Sequence, residues 1–383
     1  MKRDPYRHKE RYLNWKKSIE DGVPGVSKKN SDLTKRYLHD MENGINISIS
    51  NVKGARSFIR LNTLREKMLF FSTRFEEEFN LEDITTIDEE RVCLFFSKMR
   101  NGEIKRKDGK NYRSVADYVK AFKALWHWWM KINKKKGIEI KDITEDLDTR
   151  YEKPRWVYLT EEQVKSLCSY AKYDYKVLIM FLFDSGIRAP TELVNIKVSD
   201  IYSNFKEVHI RDEVSKTFGR RIKLMLCSNL LKEYVRMRDL GPDDYIFNIK
   251  PYLVNQYLKR LAKKVLGDDE SPAGQKYSDL TMYDFRHCSC CYWYPRYKSE
   301  SALKYRFGWK SSDKIHYYSE LLGMKDTISE EDLLIDVTKT ELEKRLAKTE
   351  KEKEVLKERV SMIELKLKKV LQVMNEVYLK AGC

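Results

Sequence analysis

Between residues 188 and 318 the sequence carries two arginines, a lysine and a tyrosine whose local wording sets them apart. Arg188 ends Asp184-Ser185-Gly186-Ile187-Arg188 and is followed by Glu192-Leu193-Val194-Asn195-Ile196 and Asp200-Ile201. Lys216 stands in Ser215-Lys216-Thr217-Phe218-Gly219-Arg220-Arg221, and Arg286 in Tyr283-Asp284-Phe285-Arg286-His287. Tyr318 comes nine residues after Trp309, following Phe307-Gly308-Trp309 and within Tyr317-Tyr318-Ser319-Glu320-Leu321. Guanidinium groups hold phosphate oxygens in a fork and stay charged at every working pH. A phenol can attack phosphorus and keep the phosphoryl group covalently. A lysine whose pKa is lowered by neighbouring cations can give a proton to a leaving oxygen. Together these groups can split a phosphodiester and store the bond energy in a phosphotyrosine link, with no metal, nucleotide or other cofactor.

Such chemistry needs elements that bring distant residues to one surface. Residues 1–150 read as mostly helical, with candidate helices over Ser31 to Glu42 (Ser31 as the cap), Val52 to Phe79 and Glu89 to Met99. Ser114 to Ile132 is the clearest, with Val115, Tyr118, Val119, Phe122, Leu125, Trp126 and Trp129 on one face, a pattern that predicts core packing. Asp146 to Trp156 is polar, holds Pro154 and reads as a linker. Thr160-Glu161-Glu162-Gln163 then has the form of a capping box opening a new helix. In 157–325 helices dominate, but Glu207 to Ile210 and Arg221 to Leu226 alternate like short strands about a turn at Ser215 to Gly219. The expected fold class is therefore mainly α with a small β-sheet.

The chain has 383 residues, 42% of them hydrophobic, which is enough for two or three ordinary cores. Lys and Arg exceed Asp and Glu by 16, which points to a polyanionic partner, nucleic acid before a membrane surface. Residues 1–150 carry most of that excess, 33 basic against 24 acidic. Lys105-Arg106-Lys107 and Lys134-Lys135-Lys136 flank the aromatic helix and would suit either phosphate contacts or solvated turns. The longest apolar run, Val177 to Phe183, has seven residues, far short of the roughly 20 that a bilayer span needs. The start, Met1-Lys2-Arg3-Asp4, lacks a signal-peptide core, and the seven cysteines are irregularly spaced, so a reducing cytoplasm is expected. Cys288 and Cys291 form a C-x-x-C with Cys290 between them, read first as small buried helix residues and second as metal or redox ligands.

Residues 338–383 carry a heptad pattern. With Leu342, Thr349, Leu356, Ile363, Val370 and Val377 at d, Leu346, Lys353, Val360, Leu367, Met374 and Ala381 fall at a. Thr349 and Lys353 alone interrupt the apolar seam, so a coiled coil is expected, with a single docked amphipathic helix as the alternative. The mixed residues leave the number of strands open, and the helix could tether protomers or recruit another coiled-coil protein.

In this order and wording, the four features resemble the tyrosine recombinases, the phage and archaeal integrases and the Xer-type enzymes. The resemblance covers 157–325 in motif order and extends loosely to 30–140. It implies a helical DNA core-binding domain at 1–150, a catalytic domain at 151–330 and an added C-terminal helix at 338–383. It implies Arg188 and Arg286 as the paired arginines, Lys216 as the β-hairpin lysine, Trp309 in a place usually held by His, and Tyr318 as nucleophile, with Tyr317 the other choice. Tyr283 replaces the first His of the family's His-x-x-Arg box, as in archaeal integrases, which suggests an archaeal virus or plasmid. A phenol of pKa about 10 is a poor base at neutral pH, so Tyr283 is expected to bind a phosphate oxygen or orient Tyr318, or simply to pack. The acidic support of Arg188 falls to Thr191 or Glu192, and Glu320 stands where a His is common. His287 reads as a packing residue and His316 as an exposed one. With Trp309 able only to donate its indole N–H, proton transfer falls to Lys216.

The implied activity is site-specific strand exchange on double-stranded DNA through a 3′-phosphotyrosyl intermediate, by a homotetramer on two duplexes. A type IB topoisomerase-like cleavage and religation, or an inactive DNA-binding scaffold, are the rival readings.

Overall fold

The computed structural model describes residues 2–47, 54–151, 153–297 and 299–322, with some of the positions between 346 and 370. Among them, the chain is largely helical with one small sheet, as its patterning implied. It divides into two compact units, one ending at Ser312 and the other beginning at Asp313.

The first unit opens with α1 (His8–Ser18), α2 (Lys28–Asn43), α3 (Phe58–Phe79), α4 (Glu89–Asn101) and α5 (Val115–Lys134). Helix α2 starts earlier than expected because Ser27, not Ser31, caps it, accepting from Asn30 N. Ser31 is buried and accepts from Val23 N at 2.9 Å, holding the incoming loop. Helix α3 begins at Phe58, capped by Ser57, so the expected start near Val52 is too early; residues 48–53 lie outside the described residues. Aromatic rings fill the core between these helices. Phe75 meets Phe95 at 4.9 Å and Phe122 at 5.7 Å, and Phe71 meets Phe122 at 5.4 Å. Edge-to-face pairs of this kind add about 0.5–1.5 kcal/mol each beyond area burial.

On α5 the innermost tryptophan is Trp128, fully buried, whereas Trp129 is only partly buried. The indole N–H of Trp128 donates to Asp40 Oδ2 at 3.0 Å, and Tyr37 packs edge-on at 5.0 Å. Lys105-Arg106-Lys107 and Lys134-Lys135-Lys136 are all exposed.

Thr160 caps α6 (Glu161–Tyr170) through the expected reciprocal box with Gln163. Then come α7 (Tyr173–Ser185), β1 (Ile201–Tyr202), β2 (Glu207–Ile210) and β3 (Arg220–Lys223). The three strands form an antiparallel sheet in sequence order, with Val208 opposite Ile222 and Ile210 opposite Arg220. Strand β1 is too short to show an alternation of its own, and the sequence pattern does not predict it. The loop between β2 and β3 runs from Arg211, longer than the Ser215–Gly219 turn, and β3 starts at Arg220 rather than Arg221. Arg220 opens the strand because its side chain turns inward while Arg221 faces solvent. Helices α8 (Ser228–Met237), α9 (Pro251–Leu266), α10 (Asp284–Trp293) and α11 (Glu300–Phe307) complete the unit.

The first residues of the chain lie against this later part. Arg3 N donates to Asn195 Oδ1 at 2.6 Å, and Asn195 Nδ2 donates back to Arg3 O at 3.0 Å. The Arg3 guanidinium covers the Tyr245 ring at 3.5 Å, and Lys2 Nζ donates to Val214 O at 3.1 Å.

The second unit begins with α12 (Asp313–Leu322). The described residues of 346–370 are helical; the rest of the expected coiled coil lies outside the described residues. No helix among the described residues is long and apolar enough to cross a membrane.

Candidate active site

The end of α7 places Arg188. Gly186 takes a left-handed conformation (φ 61°) and stops the helix, and a Cβ there would come within 2.4 Å of the Phe307 ring. Arg188 then lies in irregular chain just before the turn that leads to the short 3-10 helix Leu193–Asn195.

Glu192 supports Arg188, and Thr191 does not. Arg188 donates its backbone N–H to Glu192 Oε2 at 2.8 Å and Nη1 to Oε1 at 3.0 Å. Arg220 grips the same carboxylate from the other side, Nη1 to Oε1 at 3.1 Å and Nη2 to Oε2 at 2.8 Å. Glu192 is 1% exposed. Burial alone would raise its carboxyl, but the hydrogen bond and charge of Arg220, then those of Arg188, hold it below the usual range.

A second set of bonds converges on the chain after α11. Arg188 Nη2 donates to Gly308 O at 2.8 Å, and Thr217 Oγ1, beside Lys216, donates to the same oxygen at 2.9 Å. Arg286 Nη2 donates to Phe307 O at 2.5 Å and Nη1 to Gly186 O at 2.6 Å. Gly308 has φ 60°, and a Cβ on it would press to 3.0 Å from Arg220 Nη1 and 3.2 Å from Thr217 Oγ1. One carbonyl thus locates both the first arginine and the lysine loop. Lys216 itself is exposed.

Arg286 is 4% exposed, and its pKa is pushed down to about 10, by burial first and then by the charge of Arg188. That is still well above neutrality, so the group keeps its charge. Its guanidinium lies 5.9 Å from the Trp309 ring, which stacks on Phe307 at 5.0 Å. The carboxylate of Asp284 accepts from Thr281 N at 2.7 Å and from Val157 N at 3.1 Å, anchoring the start of α10 to the chain entering this half.

Tyr283 stands at the N-terminal end of α10, 48% exposed, its ring edge-on to His287 at 5.2 Å. His287 packs in turn on Trp156 at 4.8 Å. Tyr317 and Tyr318 lie on α12 of the second unit, rings edge-to-face at 5.3 Å. Successive helix residues diverge by about 100°, so the two phenols cannot face the same way. The side chains of His316 and Glu320 lie outside the described residues. Cys288, Cys290 and Cys291 are buried on α10, where burial pushes all three thiols up.

Two structural residues carry no sequence expectation. Arg220 was visible only as part of the turn wording, yet it is among the most buried side chains of the chain. Arg306 on α11 is 2% exposed; its Nη2 donates to the backbone and carboxylate of Asp184, and its guanidinium covers the Trp293 ring at 4.2 Å. Asp184 Oδ2 also accepts from Leu226 N at 2.7 Å and Cys227 N at 3.0 Å, so this pair joins α7, α11 and the chain leaving β3.

Arg188 and Arg220 bond Glu192 and Arg286 lies within reach of its charge, so three guanidiniums are offset by one carboxylate, a surplus of two positive charges near the exposed Lys216. Each guanidinium has five N–H donors. The bonds to Glu192 and Gly308 take two of those on Arg188, and the bonds to Gly186 and Phe307 take two of those on Arg286. Such a site suits an anion with several oxygens.

No protein-family model matches this sequence, and no curated protein matches it. Solved structures do. A lambda integrase dimer bound to a COC′ core site matches at TM-score 0.54 and 14% identity, over 85% of this chain and 85% of that one. The Tn1549 transposon integrase in complex with circular intermediate DNA matches at TM-score 0.54 and 15% identity, over 82% of this chain and all of that one. At such identity the likeness is one of architecture, and this chain is built on the fold of those integrases.

Proposed function

We propose that the chain is a site-specific DNA recombinase of the tyrosine recombinase type, with 1–150 gripping DNA, 151–330 carrying the chemistry and 338–383 serving self-association. The observation that carries this reading is the cluster in which Arg188, Arg286 and the Lys216 loop are all fixed on the carbonyls of Phe307 and Gly308. The Tn1549 integrase of like fold is in complex with circular intermediate DNA and the lambda integrase is bound to a COC′ core site, and the basic excess of 1–150 fits a DNA partner.

The step runs as an in-line displacement. The Tyr318 phenol gives its proton to water as its oxygen attacks the scissile phosphorus, the bond from phosphorus to the 5′ oxygen breaks, and a 3′-phosphotyrosyl ester forms. Lys216 gives its proton to the departing oxygen. Arg188 and Arg286 hold the non-bridging oxygens as charge builds on them, and the Trp309 indole N–H donates as well. Tyr283, exposed beside Arg286, serves as a further donor to phosphate. A 5′ hydroxyl from a second duplex reverses the step, in an assembly of four protomers on two duplexes. Neither a metal nor a nucleotide enters the step.

The test uses nicked duplexes with randomised core sequence, which trap a cleaved strand. Wild type and Tyr317→Phe are expected to form an SDS-resistant protein–DNA adduct, and Tyr318→Phe none. No adduct from wild type would leave only a DNA-binding scaffold. Adduct together with relaxation of supercoiled plasmid, but no exchange between linear duplexes carrying the recovered sequence, would make the enzyme topoisomerase-like.

A further inference from the structure

The C-terminal helix exposes its apolar seam: Leu346, Val360 and Leu367 at a, and Leu356, Ile363 and Val370 at d, are 50% to 61% exposed. From the charges beside that seam we infer that its occupant is a second copy of this chain, lying parallel and in register. The inference rests on the coiled-coil reading of 338–383 and is independent of the DNA chemistry.

The e positions hold Glu343, Glu350, Lys357 and Glu364, and the g positions Arg345, Glu352, Arg359 and Lys366. In a parallel pair, each g residue meets the e residue five positions later on the other helix, and these contacts set partner choice and orientation. In register, Arg345 meets Glu350, Glu352 meets Lys357, and Arg359 meets Glu364, each pair of opposite sign.

The alternatives fare worse. A slip of one heptad sets Arg345 against Lys357 and Glu352 against Glu364, or, the other way, Glu352 against Glu350 and Arg359 against Lys357, which cancel that register's attractive pairs Arg345 with Glu343 and Lys366 with Glu364. Antiparallel helices pair g with g and e with e. The fully overlapped antiparallel arrangement then sets Arg345 against Lys366 and Glu343 against Glu364, which cancel its attractive pairs Glu352 with Arg359 and Glu350 with Lys357. Lys353, the one charged residue at a, meets its own copy in register, with Glu352 of the second copy alongside. A single charged a residue lowers stability but fixes register. In a two-stranded seam its stem can reach solvent, so two strands are favoured.

The experiment uses the full chain without DNA, so that it is separate from any test of cleavage. Sedimentation equilibrium is expected to show a concentration-dependent dimer. Glu352→Lys or Lys357→Glu alone each turns two attractive pairs of the dimer repulsive, and each is expected to weaken it roughly tenfold. Mixing these two variants restores opposite charges at both contacts and should return wild-type affinity, which an antiparallel pair would not do. In a Cys383→Ser background, Ile363→Cys should form a disulfide with its own copy on mild oxidation, where the background alone forms none at this position. A monomer at every concentration, no rescue in the mixture, or no cross-link at 363 would each overturn the inference, and adduct formation on DNA would be untouched by that failure.

Discussion

Glu192→Gln tests whether the buried carboxylate is what holds the first arginine. The wild-type carboxylate accepts four hydrogen bonds, two from Arg188 and two from Arg220. The variant keeps one carbonyl oxygen and places an NH2 donor against the N–H groups that faced the other. It also leaves Arg220, fully buried, without its counter-charge. Breaking a buried pair by removing one partner costs about 3–5 kcal/mol. In a unit of this size that corresponds to a midpoint lower by roughly 5–10 °C. Because the Glu192 carboxyl is held below its ordinary range, its stabilisation is present above the unfolded pKa and lost as pH falls through the folded one. The gap between wild type and variant, measured by urea unfolding, should therefore be full at pH 7 and narrow below about pH 4. Arg188 loses one of its two bonds to this side chain, and misplacement of a catalytic group by about 1 Å can slow a reaction 100-fold. Adduct formation should fall by about that factor. Pairing the substitution with Arg220→Met should give a loss smaller than the sum of the two, since both remove one network. A variant that unfolds within about 1 kcal/mol of wild type and forms adduct at the wild-type rate would refute the argument.

Gly308→Ala should cost about 1–2 kcal/mol for its left-handed backbone and slow adduct formation further by displacing the carbonyl shared by Arg188 and Thr217; wild-type kinetics would show that this carbonyl does not set the site. Lys216→Ala should slow cleavage by about 100- to 10,000-fold. On a duplex whose bridging 5′ oxygen is replaced by sulfur, a leaving group that needs no proton, the same variant should recover most of the rate. Failure to recover would move the proton to another donor.

The elements most legible in the sequence are those written in local pattern. The apolar period of α5, the Thr160 box and the alternation of β2 need only near neighbours, and all three hold. Misreadings arise where a distant partner decides. Trp128 and Trp129 are equally apolar, and only Asp40, 88 positions away, selects which turns inward. Ser31 and Ser27 could both cap α2, but Ser31 is taken by the backbone of Val23. Arg220 and Arg221 are adjacent and alike, and the pairing of β3 with β2 sends the first into the interior. Nothing near Arg306 in the sequence marks it as buried, because its partner Asp184 comes from α7, 122 positions away. In the candidate site, Arg188, Arg286 and the Lys216 loop stand out by their wording, and the fold brings them to neighbouring carbonyls. The acid beneath Arg188 does not, because Thr191 and Glu192 sit one residue apart and only the fold of the turn chooses between them.

The bond between Arg3 and Asn195 spans 192 positions and bears on how the polypeptide emerges from the ribosome. Chains acquire structure from the first-made end onward, at about 5–20 residues per second. The helices from α1 to α5 can pack as soon as α5 is out, but Lys2 and Arg3 have nothing to hold until Asn195, Val214 and Tyr245 have followed. For several seconds of translation Lys2 and Arg3 therefore lack these partners, all of which come from beyond residue 190.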